Sequence, residues 1–403
     1  MNKTLKYLII IIIVIILICI FLYCTFKTPK SYFSYRDYNR MGRPSELVIP
    51  DYVTVICDRA FMYSEGLTSV IIPNSVTNIA MWTFSECHDL TSITIPNSVT
   101  NIESCAFAGS DALTSINIPS SITKIDEKLF YECTGLTSIN IPKSVTSIGE
   151  KSFSGCSGLT SITIDSTVTH IGGGAFSNCE NIKEINIIGD NFKYQDGILY
   201  NSDMSNVIFA LSSAIEGHVT LSDSVINIGC SAFNGCKNLT SITIANPACK
   251  ISKEAFVGCT GLTSIVIPDS MTCIEEFTFT NCSSLASVVI PNSVKSIGCW
   301  SFCGCKSLTS IHLPNSIYAI TECSFYLCSG LKTINIPNSM EYISWRAFDG
   351  CKSLTSIIIP RNLTEIGDDA FLSCDNLTSI KVPRNSPVLE KLKKDYDDII
   401  EIY

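Results

Sequence analysis

The sequence predicts a solenoid of stacked coils, strand-rich and α/β horseshoe-like, with parallel strands lying coil on coil behind an N-terminal transmembrane helix. Three observations lead there. Leucines recur every 23 residues at Leu67, Leu90, Leu113, Leu136 and Leu159, and again at Leu239, Leu262, Leu285, Leu308, Leu331 and Leu354. Thirteen of the nineteen phenylalanines, from Phe61 to Phe371, fall in one slot of that period. Ahead of the repeats, Tyr7 to Cys24 form eighteen consecutive residues without a charge or an amide.

In chain order, residues 1–6 are a short flank and residues 7–26 a transmembrane signal anchor. Eighteen helical residues span about 27 Å, close to a bilayer's hydrocarbon core. A cleaved signal peptide has an apolar stretch of about 7–15 residues and a small-x-small exit. Here the exit is Leu22-Tyr23-Cys24-Thr25-Phe26, and its bulky residues favour an uncleaved anchor. Orientation stays open. Lys27, Lys30, Arg36, Arg40 and Arg43 outnumber Lys3 and Lys6, which puts the C-terminal side in the cytoplasm by the positive-inside rule, whereas the bare N-terminus would then have to cross. Residues 27–43, with Tyr32, Tyr35 and Tyr38 among basic residues, read as a stalk at the membrane surface.

Residues 44–385 hold the solenoid. One unit, residues 90–112, reads LTSITIPNSVTNIESCAFAGSDA; residues 44–66 are a degenerate first copy, and residues 182–215 are one long unit of 34. Leu-Thr-Ser-Ile-Thr-Ile is short and β-branched, so it reads as a strand. Pro-Asn-Ser then makes a tight turn. Ala-Phe-x-x-Cys is too brief for a stable helix and is expected as one helical turn. No unit can bury its apolar face alone, but coils stacked about 4.8 Å apart lay each Leu, Ile, Val and Phe on its counterpart. The phenylalanines should form a continuous spine. Residues 386–403 read as a cap, with Ser386-Pro387 as a helix start and Val388, Leu392, Tyr396 and Ile399 on one face. Residues 44–66 are expected to close the other end.

Eleven of the 21 cysteines (Cys87, Cys133, Cys156, Cys179, Cys236, Cys259, Cys282, Cys305, Cys328, Cys351 and Cys374) share a single slot, which Ser64 and Ser110 fill elsewhere. Their Cβ atoms would point in parallel and cannot all pair. A ladder also spreads ligands too far apart for zinc. Buried free thiols, acting as small apolar residues, are expected. The chain is 46% apolar and 16% charged, with a net charge of -9 and four histidines. That balance excludes nucleic acid, which needs a basic face.

The repeat resembles the BspA-like group of leucine-rich repeats from about residue 44 to about 390. The resemblance rests on the proline after the strand, the SVTSIG phrase at Ser144 to Gly149, and the closing Ala-Phe-x-x-Cys. The stretch Phe192 to Ala210 looks like that family's hairpin insertion. The likeness implies a leucine-rich-repeat solenoid, curved, with parallel strands on one side, and a role in surface adhesion or recognition of host or matrix proteins. It supplies no ligand-contact residues.

Catalytic groups are not gathered anywhere. The outward strand positions hold Ser92 and Thr94, Ser115 and Asn117, Ser138 and Asn140, with Glu184, His218, His312 and Lys381 as scattered exceptions. Gly172-Gly173-Gly174 lacks the Lys-Ser or Lys-Thr of a phosphate loop and reads as a turn. No cofactor or metal is expected. Departures from the template are the candidate ligand contacts: Trp82, Trp300 and Trp345 near the closing turn, Phe192, Tyr194 and Tyr200 in the long unit, and His312 on the strand face. Exposed Trp marks interfaces, and packing over a neighbouring coil is the alternative. The expected function is a membrane-anchored recognition protein on the cell surface, binding a protein ligand or a glycan without catalysis. A cytoplasmic-facing scaffold is the second reading, and a polysaccharide-acting solenoid enzyme a remote third.

Overall fold

The structure is a computed structural model that describes residues 31–403. The expected flank 1–6, the anchor 7–26 and the first stalk residues lie outside the described residues. Among the described residues, no helix is long and apolar enough to cross a membrane.

Each coil has three faces. The first carries a parallel strand of three to six residues in register with the same residues of the next coil, as Ser115↔Ser138, Ile116↔Ile139 and Asn117↔Asn140. The second carries a two-residue strand, as Ser147–Ile148 between Lys124–Ile125 and His170–Ile171. The period of 23 is thus the length of one circuit, and β-branched residues sit where the pleat accommodates them.

The third face departs from the expected helical turn. Alternate residues hydrogen-bond along the rod: Cys105 N–H donates to Glu127 O at 3.0 Å, Phe107 to Leu129 at 3.0 Å and Gly109 to Tyr131 at 2.7 Å. The residues between them close local turns, as Ala106 to Glu103 and Ala108 to Cys105. The alternation needs two left-handed residues per coil, such as Trp82 (φ 56°) and Glu86 (φ 56°), or Cys105 (φ 59°) and Gly109 (φ 71°). A helix would aim every N–H along its own axis. This path instead gives half of them to the next coil, so the third face is cross-linked as the strands are.

Inside, the phenylalanines stack at 5.0–5.6 Å between centroids, within 16° of parallel, from Phe61 to Phe176 and again from Phe233 to Phe371. The expected continuous spine is broken at the long unit. That unit has no Ala-Phe-x-x-Cys turn; its level is filled by Phe209, from the strand Asn206–Ala210, tilted 50° against Phe176. The core correspondingly forms two apolar clusters that meet at the long unit.

Because the turn is missing there, the coils on either side meet directly on the third face. A Cβ on Gly173 would lie 2.6 Å from the Cβ of Cys230, and one on Gly174 2.9 Å from the Cβ of Ser231. The glycine run is therefore a close-approach seam. Ion pairs Lys151–Glu254, Lys253–Glu150 and Lys237–Glu180 cross the same seam. Elsewhere the long unit makes an antiparallel hairpin of Phe192–Gln195 with Ile198–Asn201, whose second strand pairs with Asn206–Ala210.

Both ends are closed, but at the N-terminus by other residues than expected. Residues 31–43, read from sequence as stalk, are folded onto the first coil: strand Tyr32–Phe33 pairs with Val55–Ile56, and helix Tyr35–Arg40 begins at Ser34, whose N–H donates to Asp37 Oδ2 at 3.0 Å. Phe33 and Tyr38 cover Phe61 because the first coil's apolar face has no coil before it. Residues 44–66 are then an ordinary coil. At the C-terminus, helix Leu389–Tyr396 packs Val388, Leu392 and Tyr396 on the last coil. Strand Ile400–Ile402 then pairs with Ile380–Val382, a strand the helical spacing did not reveal.

Candidate recognition surfaces

Eleven cysteines in one slot make a repeated contact. Ten of their thiols donate to the carbonyl of the phenylalanine 26 residues earlier at 3.0–3.3 Å, among them Cys133 to Phe107 and Cys156 to Phe130. Cys236 reaches Ala210 O at 3.8 Å, and Ser110 makes the same bond to Phe84 at 2.7 Å. The slot therefore selects a small buried donor, more than the small apolar filler expected. Burial pushes the thiols of Cys87, Cys133, Cys179 and Cys236 up to about 12, which keeps them protonated and inert. The eleven cysteines of the ladder are free thiols, and among the described residues no three His, Cys, Asp or Glu side chains converge as for a metal.

The sequence candidates fall into three separate places. On the turn face, Trp300 stacks on Phe277 (6.2 Å, 8°) and meets Tyr326 edge-on (5.5 Å, 67°), so it packs over neighbouring coils while remaining partly exposed. Further along that face, Trp345 is 39% exposed beneath the Arg346 guanidinium, 4.6 Å above its ring. Near the other end, Trp82 lies under Arg59 at 4.3 Å. Trp82, Phe277 and Trp300 all occupy the first left-handed position of their coils, a conformation bulky residues rarely adopt. It turns the side chain off the core and onto the surface. Leu327 and Leu372 add exposed apolar area to the Trp300 side, and Glu276 and Glu322 supply negative charge on the same face, whereas Asp368 is paired with Lys391 at 2.7 Å.

At the long unit, Phe192 is a core residue, 6% exposed, rather than a projecting contact, because it faces Asn201 across the hairpin with its ring turned inward. Tyr194 is half-buried against the N-terminal cluster. Tyr200 is buried, and it lines a cleft of about 520 Å³ with Gln195, Asp196, Glu216, His218 and Thr220. On the strand face, His312 is exposed opposite Asn335. Its neighbours show what sequence reasoning missed: Val48, Ile71, Val266, Val289 and Ile358 occupy the same outward position and are 51–64% exposed. The signal was present, since these residues stand where other copies carry Thr or Asn.

A solenoid of parallel strands with one circuit per 23 residues is a leucine-rich-repeat scaffold, a fold that generally binds proteins. The model of the BspA type leucine-rich repeat region matches residues 36–133, 100–216, 203–305 and 274–393, and the chain belongs to that family. It is similar to a leucine-rich repeat protein of Bacteroides ovatus at 30% identity, over 92% of this chain and 86% of that one, with a TM-score of 0.47. A leucine-rich repeat protein of Eubacterium ventriosum matches at 25% identity over 84% and 85% of the two chains, TM-score 0.59. A leucine rich cell surface protein of Faecalibacterium prausnitzii matches at 26% identity over 84% and 87%, TM-score 0.53. No curated protein matches the sequence.

Proposed function

We infer that the chain is a membrane-tethered recognition rod displayed outside the cell, which holds a protein ligand and performs no catalysis. The observation that carries this reading is the aromatic group Phe277, Trp300 and Tyr326, whose rings contact one another across three successive coils of the turn face, with Trp345 beyond it. Aromatic anchors of this kind supply most of the energy at protein interfaces. The acidic residues on the same face favour a partner with a basic surface. Resemblance to a relative described as a cell surface protein supports display outside the cell.

The test has two arms. Protease added to intact cells should remove the rod; its survival until the cells are opened would replace this reading with the cytoplasmic scaffold. Trp300→Ala with Trp345→Ala should weaken ligand capture by tenfold or more, on the order of 2 kcal/mol for an interface anchor, while the melting temperature stays within a few degrees. Capture unchanged by both substitutions would remove this face from the function.

A further inference from the structure

We propose that the cleft beside the long unit is a saccharide-binding site that takes a neutral or amino sugar and rejects acidic ones. This rests on the recognition reading above and names a second ligand class with its own site. The cleft occurs once because the repeat is interrupted once: the hairpin Phe192–Asn201 replaces a regular level and leaves about 520 Å³ between itself and the strand Gly217–Leu221. That volume lies in the range of small-ligand sites, roughly 300–1,000 Å³.

The lining matches sugar chemistry group by group. Tyr200 is 6% exposed, yet among the described residues its hydroxyl has no hydrogen-bond partner; a buried ring therefore offers an unused O–H at the cleft. Burial and the charge of Asp196 raise its pKa, so it stays a donor. Asp196 and Glu216 line the same space, and among the described residues neither has a cation beside it and Asp196 accepts only from the Gln195 amide at 3.1 Å. At the rim, the His218 ring is fixed by Ser241 at 2.7 Å, Thr220 at 3.1 Å and Thr243 at 3.3 Å.

Carboxylates accept paired hydroxyl donors or an ammonium group, which a hexose or hexosamine presents around its ring. Ile198, Met204 and Val219 give its C–H face an apolar floor. An acidic sugar would meet two carboxylates and no Lys or Arg, so its charge would be buried against like charge.

The experiment uses the full chain in detergent, with saturation-transfer NMR and calorimetric titration. The probes are the methyl glycosides of glucose, galactose and N-acetylglucosamine, with glucosamine, and N-acetylneuraminic and glucuronic acids as acidic controls. At least one neutral or amino sugar should bind and the acidic ones should not. Tyr200→Phe removes only an unpaired hydroxyl, and Asp196→Asn keeps a residue tolerant of the left-handed backbone found there (φ 50°). Each should weaken binding about tenfold, as for a lost hydrogen bond to a charged or buried group, without moving the thermal midpoint. Trp300→Ala should leave sugar binding unchanged, which separates this site from the protein-binding face. Absence of any sugar signal, equal binding of acidic sugars, or indifference to both cleft substitutions would overturn the proposal. So would loss of protein capture in the cleft variants without sugar binding.

Discussion

Tyr38 and Tyr396 stand at opposite ends of the rod in the same relation to the spine: each meets the terminal phenylalanine edge-on at 74°, Tyr38 on Phe61 at 5.1 Å and Tyr396 on Phe371 at 6.1 Å. A stack of parallel rings ends in an exposed ring face. An edge-on ring offers its positive rim to that face; Tyr396 does so at the C-terminal end, and at the N-terminal end Tyr38 does so beside Phe33, which stacks on Phe61 at 5.4 Å and 22°. The first tyrosine belongs to a helix after a two-residue strand, the second to a helix before a three-residue strand.

Loss of either cap ring should therefore unravel the rod from that end. Tyr38 is fully buried, with its hydroxyl donating to Pro44 O at 3.2 Å, so Tyr38→Ala should cost about 3–5 kcal/mol. Tyr396 is half-buried and should cost less. Hydrogen exchange should show protection lost first in the coil under the removed ring, with the far end unaffected.

The cysteine slot should rank substitutions by donor and by size. Phe107 O already accepts from Ser110 N–H at 3.1 Å and gains the Cys133 thiol as a second donor. Cys133→Ser should be nearly neutral, as Ser110 foreshadows. Cys133→Ala should cost about 1–2 kcal/mol for the lost bond and the void, and Cys133→Leu more through overpacking. Urea titration of the three variants checks the order.

Alkaline pH should unfold the chain in a narrow window. An exposed thiol ionises near pH 8.5, whereas the buried thiols of the ladder hold their protons to about 12 or beyond. A raised thiol pKa gives stability that is complete below the unfolded pKa and is lost as pH climbs toward the folded one. Each buried thiol then adds a slope of about 1.4 kcal/mol per pH unit. The urea midpoint should be flat from about pH 7 to 8 and fall steeply between about pH 9 and 11. Replacing the ladder by serine should flatten it.

Gly173→Ala should strain the seam at the long unit. Its new Cβ would stand 2.6 Å from the Cys230 Cβ and 2.9 Å from the Cys230 carbonyl oxygen, a clash that overpacking data put at about 1–3 kcal/mol. Cys230→Gly in the same chain should recover part of the loss. A double-mutant cycle without coupling between the two positions would deny the contact.

Much of the fold was legible because it is written many times. Leu, Ile, Phe and Cys recur at fixed offsets, and their register follows from one unit. What lay outside the copies was not legible. Tyr38 looked like one of three tyrosines in a basic stalk, since nothing local says that a ring is needed over Phe61. Phe209 arrives in the spine from a strand, at an offset no other unit uses. The aromatic group was half visible: Trp300 stood out by composition, but Phe277 and Tyr326 become its partners only when coils stack. The cleft depended on which groups the interruption leaves facing one another, and Glu216 and His218 lie in a different unit from Asp196 and Tyr200.

The missing turn also sets a direction. A level that exists beside the strands but not on the opposite side is a keystone, thick on one edge and thin on the other, and the ion pairs across the seam hold it shut. The coils before and after it therefore touch each other on the third face, while the hairpin of the long unit stands between them on the others. Trp82 and Trp300 sit in the same column by count, and the interruption falls between them. One break in the period thus divides the column of turn-face aromatics and opens the cleft at the point of division.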